Sequence, residues 1–211
     1  MNFMKEYENS LHSRGICFIA GVDEAGRGPL AGPVVAAAAV LPFDFFSEGV
    51  DDSKKLTAKK REELFERVTK QSLAYGIGII DNYIIDEINI LEATKKAMAE
   101  AIEDAARKLL NTNRPAIEHL LLDAIVLKDV LIPQTSIIKG DAKSVSIAAA
   151  SIAAKVTRDR LMFEYHKIYP CYGFDKNKGY GTKEHYENLA KHGICDIHRK
   201  SFLKTFFSKE K

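Results

Sequence analysis

Two apolar runs near the start of the chain are too short to be helices and too apolar to be loops. Ile16–Val22 (ICFIAGV) and Pro33–Leu41 (PVVAAAAVL) carry the β-branched residues of strands. The segment between them, DEAGRGPLAG, is a Gly- and Pro-rich turn, so the two runs read as neighbouring strands. Directly after the first run stand two adjacent carboxylates, Asp23 and Glu24. Isolated buried charges cost several kcal/mol even after relaxation. Two of them at a strand end call for a metal, a cation or water. A solvated loop with Arg27 as the ion-pair partner is the plainer alternative.

The glycines of this turn do not form a dinucleotide fingerprint. Gly26, Gly28 and Gly32 read GxGxxxG, and Pro29 stands where the helix would have to begin. Glycines also remove side-chain bulk, which lets main-chain amides and carbonyls approach a ligand. Such a mixed set could recognise a 2′-hydroxyl, which both donates and accepts.

Further along, Thr57–Lys70 reads as a helix with Thr57 as its N-cap, and Leu73–Ile80 as a third strand. Leu91–Leu110 has helical spacing, with Pro115 just beyond it. His119–Leu122 is a short buried strand running into Asp123, and Thr135–Ile138 is another. Asp141 opens a long helix to about Ile168, stopping before Pro170. A Gly/Asn/Lys loop and one or two helices follow. The order predicts an α/β core, residues 1–169, with a mixed sheet, and a small helical C-terminal subdomain, residues 170–211.

The chain has 211 residues, 46% hydrophobic and 28% charged, which excludes disordered and fibrous classes. The longest apolar stretch, Pro33–Phe43, is too short to cross a bilayer, and the first residues lack the pattern of a signal peptide. Three scattered cysteines suit a reducing cytoplasm. Net charge is only +2, yet residues 160–211 hold eleven Lys/Arg against six Asp/Glu. That basic quarter suits either a polyanion or an ordinary solvated surface.

Asp123 and Asp141 each follow a strand, as Asp23 and Glu24 do, and open sheets bind ligands beyond strand ends. Asp141 alone would read as a helix N-cap. Taken together, four hard oxygen donors without histidine point to Mg²⁺ or Mn²⁺ rather than zinc.

Six segments, taken in order, resemble the ribonuclease HII family over nearly the whole chain: GVDEAGRGPLAGPVVAAAAVL, DDSKKLTAKKREEL, LLDA, KGDAKSVSIAAASIAAKVTRDRLM, NKGYGTKEH and HRKSF. The resemblance implies a ribonuclease H-like fold with Asp23, Glu24, Asp123 and Asp141 as metal-binding carboxylates for two ions. It implies that Gly26, Arg27 and Gly28 read a ribonucleotide's 2′-hydroxyl through the backbone. It implies that Tyr180 stacks on the sugar that follows, and that Lys54, Lys55, Lys143 and Ser144 contact phosphates. The expected substrates are RNA–DNA hybrids and duplex DNA with embedded ribonucleotides, cut 5′ to the ribonucleotide by a cytoplasmic monomer. Another two-metal nuclease of the same fold and a non-catalytic nucleic-acid-binding module are the competing readings.

Two further patterns stay outside this assignment. His192-x-x-Cys195-x-x-His198, with His185 upstream, fits no common zinc spacing, and His198 is expected to orient its own segment. The tail from Lys200 to Phe207 loosely resembles a sliding-clamp-binding box ending in Phe206-Phe207. Apolar packing of a terminal helix is the plainer account of it.

Overall fold

The computed structural model describes residues 3–45 and 56–208. It contains α1 (Glu6–His12), β1 (Ile19–Ala25), β2 (Val34–Val40), α2 (Ala58–Gln71), β3 (Ala74–Ile80), α3 (Asn82–Leu110), β4 (His119–Asp123), β5 (Gln134–Ile137), α4 (Val145–Ile168), α5 (Phe174–Asn177), α6 (Lys183–His192) and α7 (Lys200–Ser208). The five strands form one mixed sheet in the order β3-β2-β1-β4-β5. β2 runs antiparallel to both β1 and β3, whereas β4 and β5 run parallel to β1.

β2 reads VVAAAAV because both of its faces are covered, and every one of its residues is fully buried. Its Val34, Ala36, Ala38 and Val40 join the α3 side of the core, with Val22, Leu120 and Leu122. Ala37 and Ala39 join the other side, against α4 and α2. Alanine on a central strand lets helices lie close to the sheet. Gly21 shows how close: a Cβ there would lie 2.0 Å from the carbonyl carbon of Ser146, at the start of α4.

Several element bounds differ from the sequence reading. β1 is shifted by three residues, so Asp23 and Glu24 lie inside it, because pairing with β2 continues through Ala25 opposite Val35. α3 begins at Asn82 rather than Leu91, capped by Asp81, whose carboxylate accepts from the Ile84 amide at 2.9 Å. At Asn89, φ is +68°, which breaks the helix. The Asn89 side chain then accepts from the amides of Leu91 and Glu92 and starts the second stretch. α4 begins at Val145 with Ser144 as N-cap, and Asp141 sits before it in a short 3₁₀ turn. Helix α1 had no counterpart in the sequence reading. Thr57 caps α2 as expected, accepting from the Lys60 amide.

Past Pro170, Tyr172, Phe174, Leu189, Ile197 and Leu203 gather in an apolar cluster, which Leu30, Ala31 and Met162 help to close. Main-chain bonds fasten this part to the turn after β1: Leu30 N to Gly179 O, Gly32 N to Ile197 O and Arg199 N to Leu30 O, each at 2.8 Å.

Gly21→Ala should therefore destabilise the protein by about 1–3 kcal/mol, because the added methyl meets backbone rather than a movable side chain. A urea unfolding curve reads this, and an unchanged midpoint would show that α4 can retreat from β1 at no cost.

Candidate metal centre

β1 and β4 are parallel neighbours with Val22 opposite Leu122, so the next residues on each strand, Asp23 and Asp123, stand side by side. The third acid, Asp141, arrives from the turn after β5. Asp123 Oδ1 accepts from the amide of Gly140 at 2.7 Å, which ties the end of β4 to that turn. As a result Asp23, Asp123 and Asp141 each present a carboxylate oxygen, all within 4.8 Å of one another. Asp23 and Asp141 are buried and Asp123 is half-buried. Glu24 does not belong to this triplet. It lines the same cleft, with Oε1 at 3.4 Å from the Arg27 guanidinium.

Burial raises the Asp23 carboxyl well above its ordinary range, and the charges of Glu24 and Asp123 raise it further. Hydrogen bonds from the Ser151 side chain and the Glu24 amide offset this only in part. A buried cluster of like charges needs protons or a cation. The donors here are all carboxylate oxygens, which suits a hard divalent ion.

Asp23 and Asp123 open into a cleft of about 220 Å³ lined also by Glu24, Ser151, Lys155, the Gly26–Gly28 turn and Tyr180. Gly26 has φ of +97°, and a Cβ on it would lie 2.0 Å from the Arg158 guanidinium nitrogen Nε. Any side chain at 26 would therefore need both a strained backbone and a displaced arginine. Arg158 and Arg199 are both fully buried. Arg199 donates to the carbonyls of Gly26 (2.6 Å), Arg27 (2.9 Å) and Gly32 (2.9 Å). Arg158 donates to those of Ala31 (3.1 Å), Pro33 (2.9 Å) and Lys178 (2.9 Å). The Tyr180 ring, 46% exposed, stands over Gly28, whose missing Cβ would lie 3.6 Å from it.

A sequence model described as Ribonuclease HII matches residues 20–207. The chain belongs to the ribonuclease HII family. It is 58% identical over 200 residues to the ribonuclease HII of Caldanaerobacter subterraneus subsp. tengcongensis, covering 95% of this chain and 80% of that one. The ribonuclease H2 of Pyrococcus horikoshii OT3 superposes with a TM-score of 0.72 at 28% identity, over 90% of this chain and 97% of that one. A ribonuclease HII of Archaeoglobus fulgidus, solved in complex with PCNA, superposes with a TM-score of 0.64 at 28% identity, over 86% and 91% of the two chains.

Not every residue that the ribonuclease HII resemblance nominated lies at the cleft. Ser144 is a correction. Its hydroxyl is fully buried, donates to Glu8 Oε1 at 2.6 Å and accepts from the Ile147 amide, so it starts α4 and has no face for a phosphate. Lys143 is exposed beside the Asp141 turn. Lys54 and Lys55 lie outside the described residues. His185 and His198 face each other through Nε2, while Cys195 Sγ approaches the opposite ring nitrogen of His198.

The sequence reading missed Ser151, Lys155, Arg158 and Arg199. The first three were findable, since positions 151, 155 and 158 recur at helical spacing in an otherwise alanine-rich stretch. Lys155 donates to Asp159 at 2.7 Å, and burial lowers its ammonium below the usual lysine range. Nothing local in HRKSF marks Arg199, because its partners lie 167 to 173 residues away.

Without divalent ions, Asp23→Asn should raise the thermal midpoint, by roughly 2–4 °C for each kcal/mol of desolvation relieved. The Asp23 carboxyl has a higher pKa folded than unfolded, so the metal-free wild type gains stability as pH falls through that range and loses it as pH rises. The variant lacks that dependence. Adding Mg²⁺ should raise the wild-type midpoint more than the variant's. Equal midpoints in EDTA at all pH values, measured by scanning calorimetry, would refute the strain at this position.

Proposed function

We propose that this enzyme hydrolyses the phosphodiester on the 5′ side of a ribonucleotide, in RNA–DNA hybrids and at single ribonucleotides within duplex DNA, leaving a 3′-hydroxyl and a 5′-phosphate. The observation that carries this reading is the convergence of Asp23, Asp123 and Asp141, the first two of which line a cleft walled by glycine backbone. With Glu24 at its edge, this set would hold two divalent ions, Mg²⁺ or Mn²⁺. Bound there, such ions supply an activated water and charge stabilisation at the leaving oxygen.

The chain's own groups then position the substrate. Asp23, buried between the charges of Glu24 and Asp123, would be the central residue holding such ions. The carbonyls of Gly26 and Arg27 already accept from Arg199, so the turn meets a ligand in a fixed conformation. Its backbone is the candidate reader of the 2′-hydroxyl. Tyr180, above Gly28, is placed to stack on the next sugar, where a deoxyribose packs better than a ribose. Lys143 is a candidate phosphate contact at the rim. Residues 170–211 act in this reading as a subdomain that supplies one wall of the cleft.

A clamp-binding role for the tail is less well supported. Phe206 packs against Tyr186, with ring centroids 5.5 Å apart, and belongs to the C-terminal apolar cluster. That packing favours α7 as a structural helix.

The direct test is incubation with Mg²⁺ and a duplex carrying one embedded ribonucleotide, followed by mapping of the cut. Cleavage should fall on the 5′ side of the ribonucleotide, and cleavage elsewhere would overturn the assignment. Asp123→Asn should lower turnover by about a hundredfold or more while hybrid affinity stays near wild type. A folded variant that keeps its turnover would remove Asp123 from the reaction. Tyr180→Ala should slow the single-ribonucleotide substrate more than a uniform RNA–DNA hybrid.

A further inference from the structure

Behind Tyr180, away from the cleft, two histidines meet in the protein interior. His185 and His198 are 0% and 1% exposed, and their Nε2 atoms are 3.0 Å apart. Two nitrogens at that distance need one proton between them. The groups at either end decide whose it is. His185 Nδ1 lies 2.9 Å from the carbonyl oxygen of Tyr180, which can only accept, so Nδ1 carries a hydrogen. In a neutral ring this leaves His185 Nε2 as an acceptor, and the bridging hydrogen belongs to His198 Nε2. The far end gives the same answer. His198 Nδ1 lies 2.9 Å from the Cys195 amide, which can only donate, and farther, at 3.3 Å, from the Cys195 carbonyl, whose oxygen is already taken by the His198 amide at 3.0 Å. The Cys195 thiol, 3.1 Å away, can donate to the same nitrogen, since burial pushes its pKa up to about 11.

Charging either ring would set two N–H groups against each other. The surroundings oppose charge as well. Phe174 lies 5.5 Å from the His185 ring and Tyr172 lies 4.8 Å from that of His198, centroid to centroid. Burial lowers the pKa of His185, and burial together with His185 brings His198 down to about 4. These surroundings favour a neutral pair, whose shorter hydrogen bonds run one way, from the Cys195 amide to the Tyr180 carbonyl.

We propose that this histidine pair is a directed hydrogen-bond relay that positions Tyr180, and that His185 thereby helps set the enzyme's preference for a ribonucleotide followed by a deoxynucleotide. The inference rests on the sugar-stacking reading of Tyr180. Within its own loop, Tyr180 N donates to Asn177 O at 2.9 Å and Thr182 N donates to the Tyr180 carbonyl at 2.8 Å, and the loop is tied to the rest of the protein from three sides. Leu30 N donates to Gly179 O, Arg158 donates to Lys178 O, and His185 holds the tyrosine's own carbonyl. Of the contacts from outside the loop's own main chain, the histidine's acts on Tyr180 itself, sharing the carbonyl with the Thr182 amide. It is a positioning residue, since it reaches the substrate only through Tyr180.

The test compares kcat/KM on a duplex with one ribonucleotide against a uniform RNA–DNA hybrid, for wild type, Tyr180→Ala, His185→Phe, His185→Asn and the Tyr180→Ala/His185→Phe double variant. His185→Phe should lower the single-ribonucleotide preference about fivefold, the loss expected for one net hydrogen bond. His185→Asn, whose side-chain amide can stand where Nδ1–H was, should restore most of it. The double variant should lose no more than Tyr180→Ala alone. Ring ¹⁵N spectra of the wild type should show His185 protonated at Nδ1 and His198 at Nε2, a readout that needs no substitution.

If Tyr180→Ala shifts the preference and His185→Phe does not, the relay is refuted and the tyrosine reading stands. If Tyr180→Ala is itself silent, both fall. His185 found protonated at Nε2 overturns the relay whatever the kinetics.

Discussion

Two buried guanidinium groups that spend their hydrogen bonds on main-chain carbonyls hold the working end of this molecule together. Arg158 and Arg199 direct their N–H groups at main-chain carbonyls, five of them between Gly26 and Pro33. A planar, five-donor cation suits this task, because it satisfies several fixed acceptors at once where an ammonium would act as a point. Burial lowers the two to about 10 and about 9, still above neutrality, so both remain charged and their donors stay in place. A Gly- and Pro-rich turn that would otherwise be mobile becomes a rigid wall. The cation positions are fixed by α4 and by the start of α7, so the wall inherits the rigidity of the helices behind it.

The same helix α4 serves both sides of the cleft. Its start lies against Gly21, where the missing side chain lets it approach β1. From there Ser151 reaches Asp23, Lys155 faces the cleft, and Arg158 holds the turn. Acidic floor and cationic support are thus spaced along one rigid rod. Their separation depends on how near that rod lies to the sheet, which is why small residues crowd the contact. The alanines of α4 have a positional role in the chemistry although none carries a functional group.

Much of this was legible in the sequence, for identifiable reasons. The strand runs, the Thr57 cap and the three aspartates follow from local pattern, and each is near its expected place. The end of β1 was misread because two carboxylates look like a strand terminus, whereas continued pairing with β2 carries the strand through them. The start of α3 was hidden by Asn89, whose left-handed backbone interrupts the periodicity. Ser144 followed the motif into the wrong role because neighbouring residues in a loop can face opposite ways. Arg199 and the His185–His198 contact were invisible because they depend on chain segments that meet only in the fold.

Helix α1 lies outside residues 20–207, which the family model matches, yet it reaches into the foundations of the metal centre. Its Glu8 is buried, accepts from the Ser144 hydroxyl and the Ser146 amide, and so seals the first turn of α4. A carboxylate there also meets the positive end of the helix. The Asp141 turn leads directly into this junction: Ser144 N donates to Gly140 O, and Gly140 N to Asp123. The span of the family model and the mechanical unit therefore differ. A fragment trimmed to residues 20–207 would keep every acid of the cluster and lose the prop beneath one of them, so domain limits for this enzyme belong before Glu6 rather than at β1.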